Sequence, residues 1–168
     1  MKNNFKILRN IIGFIILTIS AENSFASSAN AFFLVSATVL PSCIVTATPL
    51  AFGTYVPTTD SLQTNKLTIT CTLGTGYTVS LNAGTAPAAT TSTRKMTGLV
   101  NTTSYLPYNL YSNAARTQNW GNQSSDWVPG TGTGLPQTLT IYGKIPQGAN
   151  VPSDTYNDTN SNRSILIL

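Results

Sequence analysis

An all-β sandwich is the fold class this sequence predicts, and three observations predict it. Short apolar runs alternate with hydroxyl residues at a two-residue period, and Gly, Pro and Asn clusters punctuate those runs. No stretch sustains the 3.6-residue period of an amphipathic helix. Charged residues are only 8% of the 168, and Thr, Ser, Asn and Gly take their place, which suits strands with neutral polar outer faces and surfaces that pack on copies of themselves. Recurrent alternation of this kind also separates the chain from a disordered one.

The chain opens like an export signal. Lys2, Lys6 and Arg9 precede an apolar run at 11–19 (IIGFIILTI), and small residues follow it. A signal peptide over 1–29 is expected, with cleavage between 26 and 31, after Ala26, Ala29 or Ala31. The alternative is an uncleaved anchor, against which the shortness of the run counts. Residues 30–168 then form a single domain long enough to bury a core, with no membrane span of its own. The net charge of +4 is divided equally between leader and remainder. The remainder sets Lys66, Arg94, Lys95, Arg116, Lys144 and Arg163 against Asp60, Asp126, Asp154 and Asp158. These bases are scattered, so nucleic acid is not an expected partner, and Arg94-Lys95 reads as a solvated pair.

Residues 32–40 (FFLVSATVL) have apolar Phe33, Val35, Ala37 and Val39 at strand spacing. Two readings stand: the first strand of the molecule's own sheet, or a strand inserted into a neighbouring copy. Pro41 breaks the run, and 43–48 (CIVTAT) resumes as a short strand. A brief apolar piece at 50–52 lies between Pro49 and Gly53, and 57–65 reads as a connection. A hairpin follows: Leu67, Ile69, Cys71 and Leu73 alternate with threonines, Gly74-Thr75-Gly76 turns the chain, and Tyr77, Val79 and Leu81 return. Residues 82–93 read as a loop, and a strand can begin at Arg94-Lys95-Met96. Leu106, Tyr108 and Leu110 alternate, with Pro107 arguing for an off-centre position or a bulge. A short helical turn fits 111–120, a loop fits 121–134, a good strand carries Leu139, Ile141 and Ile145, and 148–158 is a turn region.

Both cysteines, Cys43 and Cys71, lie in the exported part, and an even count in an oxidising compartment reads as a disulfide. Closing that loop stabilises by about 3.5 kcal/mol on a chain-entropy estimate. With no histidine and no further cysteine, a four-ligand zinc site has no donors, and no metal or other cofactor is expected. The missing histidine also removes the Ser–His and Cys–His nucleophile pairs, and four scattered aspartates make a poor hydrolase, so no enzyme and no catalytic residue is expected. The GTGTG run precedes a strand rather than a helix and is not a phosphate cradle. Trp120 and Trp127, near Tyr105, Tyr108 and Tyr111, read either as a sugar-binding platform or as core and subunit-contact residues.

The runs SATVLPSCIVTATPLAFGTY, LTITCTLGTGYTVSLNAGT, YLPYNLYSNAARTQNWGN and GTGTGLPQTLTIYGKIPQGANVPSDTYNDT, in this order, resemble the spore coat protein U domain family. That family includes subunits of Csu-type, archaic chaperone–usher pili. The resemblance implies an incomplete immunoglobulin-like sandwich, exported through the periplasm to a surface pilus and completed by donor-strand complementation. It implies neighbouring subunits, a periplasmic chaperone and an outer-membrane usher as partners. It maps the family's cysteine pair onto Cys43 and Cys71 and its donor segment onto 32–40, with Phe33, Val35, Ala37 and Val39 inserted. It also exposes a departure: after Tyr156–Thr159 the chain ends Asn160-Ser161-Asn162-Arg163 and SILIL, without the alternating Thr/Val strand that family members carry there. Beside a shaft subunit, the implied alternatives are a tip or adaptor adhesin and a coat protein that forms no fibre.

Overall fold

A computed structural model describes residues 27–160 and the backbone of 165–167; the expected export signal up to residue 26 and part of the atypical tail lie outside the described residues. The chain divides into two units, 1–37 and 38–168. In the first, residues 27–37 carry no regular structure, and Phe32, Phe33, Leu34 and Val35 are exposed. In the second, the described residues form nine strands: β1 (Cys43–Ala47), β2 (Ser61–Cys71), β3 (Gly76–Val79), β4 (Arg94–Gly98), β5 (Tyr105–Tyr111), β6 (Val128–Thr131), β7 (Gln137–Ile145), β8 (Tyr156–Asn157) and β9 (Ile165–Ile167). One short 3-10 turn, Ser124–Asp126, precedes β6. No helix among the described residues is long and apolar enough to cross a membrane.

The strands make two sheets, all pairings antiparallel: six strands in the order β1-β2-β7-β5-β4-β8 and three in the order β6-β3-β9. The inward set of β2 (Leu67, Ile69, Cys71) meets that of β3 (Tyr77, Val79), with Leu106, Tyr108 and Leu110 from β5 and Ile141 and Ile145 from β7. Period-two alternation therefore sets the core, as expected. Cys43 and Cys71 face each other across β1 and β2 and are joined by a disulfide.

Several expectations change. The arms of the expected hairpin do not pair; β3 pairs with β6 and β9, and 72–75 is a corner between sheets. The β6–β7 connection takes the hydrogen bonds a hairpin would have used: Gly74 N donates to Gly132 O (2.8 Å), Gly132 N to Thr75 O (2.7 Å) and Gly134 N to Cys71 O (3.1 Å). β6 itself falls inside the expected loop 121–134, where Pro129 and Gly130 hide the strand signal. Gly130 is needed there, because a Cβ would lie 2.3 Å from the Tyr77 ring. β2 starts at Ser61, within the expected connection, because its polar start is paired through to Ile145 on the long β7. Pro107 does sit in an interior strand, but β5 meets β7 only from Asn109 onward, so the missing N–H costs that ladder nothing. Residues 111–120 form turns without a helix, closed by a Tyr111–Asn119 bridge.

The largest correction concerns Arg94, which is 0% exposed rather than solvated. Its guanidinium donates from Nε to Asn82 O (2.8 Å), from Nη1 to Thr91 O (2.6 Å), and from Nη2 to Trp120 O (2.7 Å) and Leu81 O (3.2 Å). Burial pulls its pKa down to about 10. Burying the charge costs several kcal/mol, yet four hydrogen bonds to a charged group return about 1.5–3 kcal/mol each. The bonds win. Arg94→Met keeps the apolar stem but orphans those carbonyls, and is expected to cost about 3 kcal/mol. Thermal melting followed by circular dichroism checks this; an unchanged midpoint would show that the four bonds carry no net stability.

Candidate functional site

The two sheets do not close on each other along their whole length. A cleft of about 980 Å³ opens between the segment 47–57 and the segment 149–160. Its floor is the inner face of the larger sheet (Leu67, Met96, Leu106, Leu110, Ile141, Ile145), with Leu81 beyond the end of β3. Leu50, Phe52 and Tyr55 on one wall and Val151 and Tyr156 on the other pack on the core yet stay only partly buried. The first wall follows β1 in the chain, and among the described residues β1 is an edge strand bonded to β2 alone. The second wall leads towards β9, which among the described residues is an edge strand bonded to β3 alone. An apolar trough between two free strand edges has the chemistry to accept an extended apolar segment.

Polar clips hold both walls. Tyr55 Oη donates to Pro146 O (2.8 Å) and accepts from Ala149 N (3.0 Å), fastening the first wall to the end of β7. Asp60 pairs with Lys144 (2.6 Å) and accepts from Gln147 N, which lowers its pKa. On the second wall, Tyr108 Oη donates to Asp158 Oδ2 (2.6 Å), while Thr85 N and Oγ1 donate to Asp158 Oδ1 (2.7 and 2.8 Å). Asn160 Nδ2 completes the cluster by donating to Tyr108 Oη. Burial first, then the Asp158 carboxylate, pushes the Tyr108 pKa up, so this phenol is a fixed donor. Phe52 meets the Tyr108 ring edge-on across the cleft, with ring centres 6.3 Å apart. Its lining of apolar floor and clipped walls is that of a binding site.

The structure distributes the sequence-derived candidates unevenly. Trp120 is 1% exposed, and its indole N–H donates to Val79 O at 2.9 Å, so it is a core residue and no part of a sugar platform. Tyr108 likewise points inward. Trp127 is half-buried beside β6, and its indole N–H meets no acceptor among the described residues. Phe33, Val35 and Val39 are exposed, with no strand at 32–40. The Asp158–Thr85–Tyr108 clip was missed from sequence; the only available signal was the Tyr-x-Asp-Thr turn itself.

The family described as Spore Coat Protein U domain matches residues 29–161. This chain belongs to that family. "Protein U" of Myxococcus xanthus is 40% identical over 121 residues, covering 66% of this chain and 67% of the relative. Among solved structures, the CsuC–CsuE chaperone–tip adhesion subunit pre-assembly complex from archaic chaperone-usher Csu pili of Acinetobacter baumannii contains a chain that superposes with a TM-score of 0.57. That match is 24% identical and covers 74% of this chain but only 39% of the other, so the likeness is one of fold. The spore coat protein U chain thus has the incomplete immunoglobulin-like sandwich expected of it, with the cleft where the sheets stay open.

Asp154, on the second wall, offers a test of how that wall is held. Its carboxylate accepts from Asn101 N (2.8 Å), Val100 N and Thr155 N, and these bonds, the one from Asn101 foremost, lower its pKa. A carboxylate whose folded pKa lies below its unfolded value of about 4 contributes stability at neutral pH and loses it as the pH falls through the folded value. Asp154→Asn is therefore expected to be less stable than the parent at pH 6 and to show a shallower further loss on acidification. Melting temperatures taken from pH 6 to pH 2 read this directly, and parallel curves would remove Asp154 from the acid response.

Proposed function

We propose that this chain is a structural subunit of a chaperone–usher surface pilus, polymerised by insertion of one copy's residues 32–40 into the open cleft of the next. The observation that carries this reading is a pairing of opposites. The cleft between free edges β1 and β9 lacks an apolar strand, and Phe33, Val35, Ala37 and Val39 form an apolar strand pattern that its own fold leaves unused. Each large side chain buried on insertion contributes about 1.5–3 kcal/mol, and the free edges supply main-chain hydrogen bonds. An unfilled cleft favours aggregation, so the free subunit needs a periplasmic chaperone and is handed on by an outer-membrane usher. Export through the periplasm to the cell surface, a non-enzymatic role, and adhesion and biofilm formation belong to the same reading.

The family match also supports a second reading, a coat protein that packs without fibres, since the family takes its name from a spore coat. A tip adhesin reading is weaker, because burial of Trp120 leaves Trp127 without its expected companion. Deleting residues 32–39 separates the first two. The deleted chain is expected to keep its Cys43–Cys71 disulfide but to lose the ladder of polymers on unboiled gels. A synthetic peptide of residues 32–40 is expected to bind the deleted chain and raise its melting temperature. Ladders that persist without the segment would favour the coat.

A further inference from the structure

The proposed polymer leaves two apolar patches unexplained, and they lie at opposite ends of the sandwich. At one end β1 begins, β2 finishes and β7 begins, and the turn after Cys71 and the loop before Gln137 expose Leu73 and Leu135. These are rigid tips, held by the Gly74–Gly132, Gly132–Thr75 and Gly134–Cys71 backbone bonds. At the other end the β4–β5 loop exposes Leu99 and Val100. It too is pinned: Leu99 N donates to Thr155 O (2.8 Å), and Val100 N and Asn101 N donate to Asp154. Loop tips normally carry small polar residues. Exposed leucines on turns fixed by backbone bonds are preorganised for a partner.

The chain leading to the donor segment departs from the Leu73–Leu135 end. Ser42 N donates to Thr72 Oγ1 (3.2 Å), Thr72 N donates to Ser42 O (2.9 Å), and Thr72 Oγ1 donates to Leu40 O (3.4 Å). Between Val39, the last of the inserted side chains, and Cys43, the first of β1, only Leu40, Pro41 and Ser42 intervene. Four steps along an extended chain reach at most about 14 Å, so the receiving copy must stand directly against this end. Its facing end follows from strand direction. β9 is antiparallel to β3 and runs towards the Leu73 end. A strand inserted antiparallel to β9, the pairing more stable per residue, finishes at the opposite end, beside Leu99 and Val100.

We infer that Leu73 and Leu135 of one copy pack against Leu99 and Val100 of the copy that receives its donor segment, a head-to-tail contact that continues the donor-strand joint. It rests on the pilus reading above, and its occupant is a second copy of this chain. A heterologous contact of this kind repeats without closing and so suits a fibre.

The test uses the full chain in cells that assemble it, with one cysteine placed at each end: Leu73→Cys with Val100→Cys, and separately Leu135→Cys with Leu99→Cys. The ends of one molecule are about 30 Å apart, nine paired residues of β2 and β7 at strand rise, so a new disulfide can form only between copies. The expected result, in at least one pair, is a ladder that survives boiling without reductant and collapses to monomer with it. An unboiled ladder in both pairs, with only monomer after boiling and the new thiols free, overturns the contact while leaving donor-strand assembly standing. Loss of the unboiled ladder from the parent chain would overturn both.

Discussion

The structure depends on one buried cation. The connections 80–93 and 112–127 are long and largely irregular, and their backbone carbonyls lie outside the strand ladders. Arg94 gathers four of those carbonyls, from Leu81, Asn82, Thr91 and Trp120, onto one planar group. The fork geometry of a guanidinium allows this, whereas a lysine ammonium has too few donors. Trp120, whose own carbonyl is one of the four, then drives its indole between the sheets to Val79 O. One residue thereby satisfies four carbonyls of these connections and helps seat the largest fully buried side chain, Trp120.

The open half is built on a different plan. No cation plugs it; instead, clips at its margins hold the walls in place. Tyr55 ties the first wall to β7, and Asp158 ties the second to Tyr108 and to the Thr85 loop. A cleft lined by leucines would gain by collapsing, and these hydrogen bonds oppose that collapse by fixing backbone on both sides. The Cys43–Cys71 bridge anchors the edge strand β1 to its only neighbour, so that the free edge stays in register. Openness is thus a maintained feature rather than a packing defect.

Much of this was legible in the sequence, and what was hidden was hidden for physical reasons. Alternation marks the cores of β2, β5 and β7 because each has one buried face; Leu73, which the same pattern puts inward, lies past the end of β2 and is exposed. Pairing was not legible. Leu67–Cys71 and Tyr77–Val79 look like a hairpin, yet the same glycine-rich turn serves equally as a corner once Gly132 and Gly134 arrive to bond it. β6 was invisible because its strand character comes from its partner β3 and not from VPGT itself. The burial of Arg94 is not legible because a charged side chain carries no sign of it; of the four carbonyls that hold it, only that of Thr91 is near in sequence. The cleft was legible only through family resemblance, since an absent strand leaves no pattern of its own.

The atypical carboxyl end shows why such a fold tolerates a changed sequence at its edge. The expected alternation of threonine and valine is absent, yet the backbone of Ile165–Ile167 still pairs with Tyr77–Val79. Main-chain hydrogen bonds do not depend on side-chain identity, so any extended segment of low polarity can take that position. Among the described residues β9 spans three, where β7, across the sandwich, spans nine. A short edge offers few main-chain bonds to an inserted strand. The balance of binding then shifts to side chains meeting the floor of the cleft, on β2, β5 and β7, whose apolar residues are fixed by the core itself. On the proposed pilus reading, the strength of a completed sandwich would then depend more on what the donor buries than on the edge it joins.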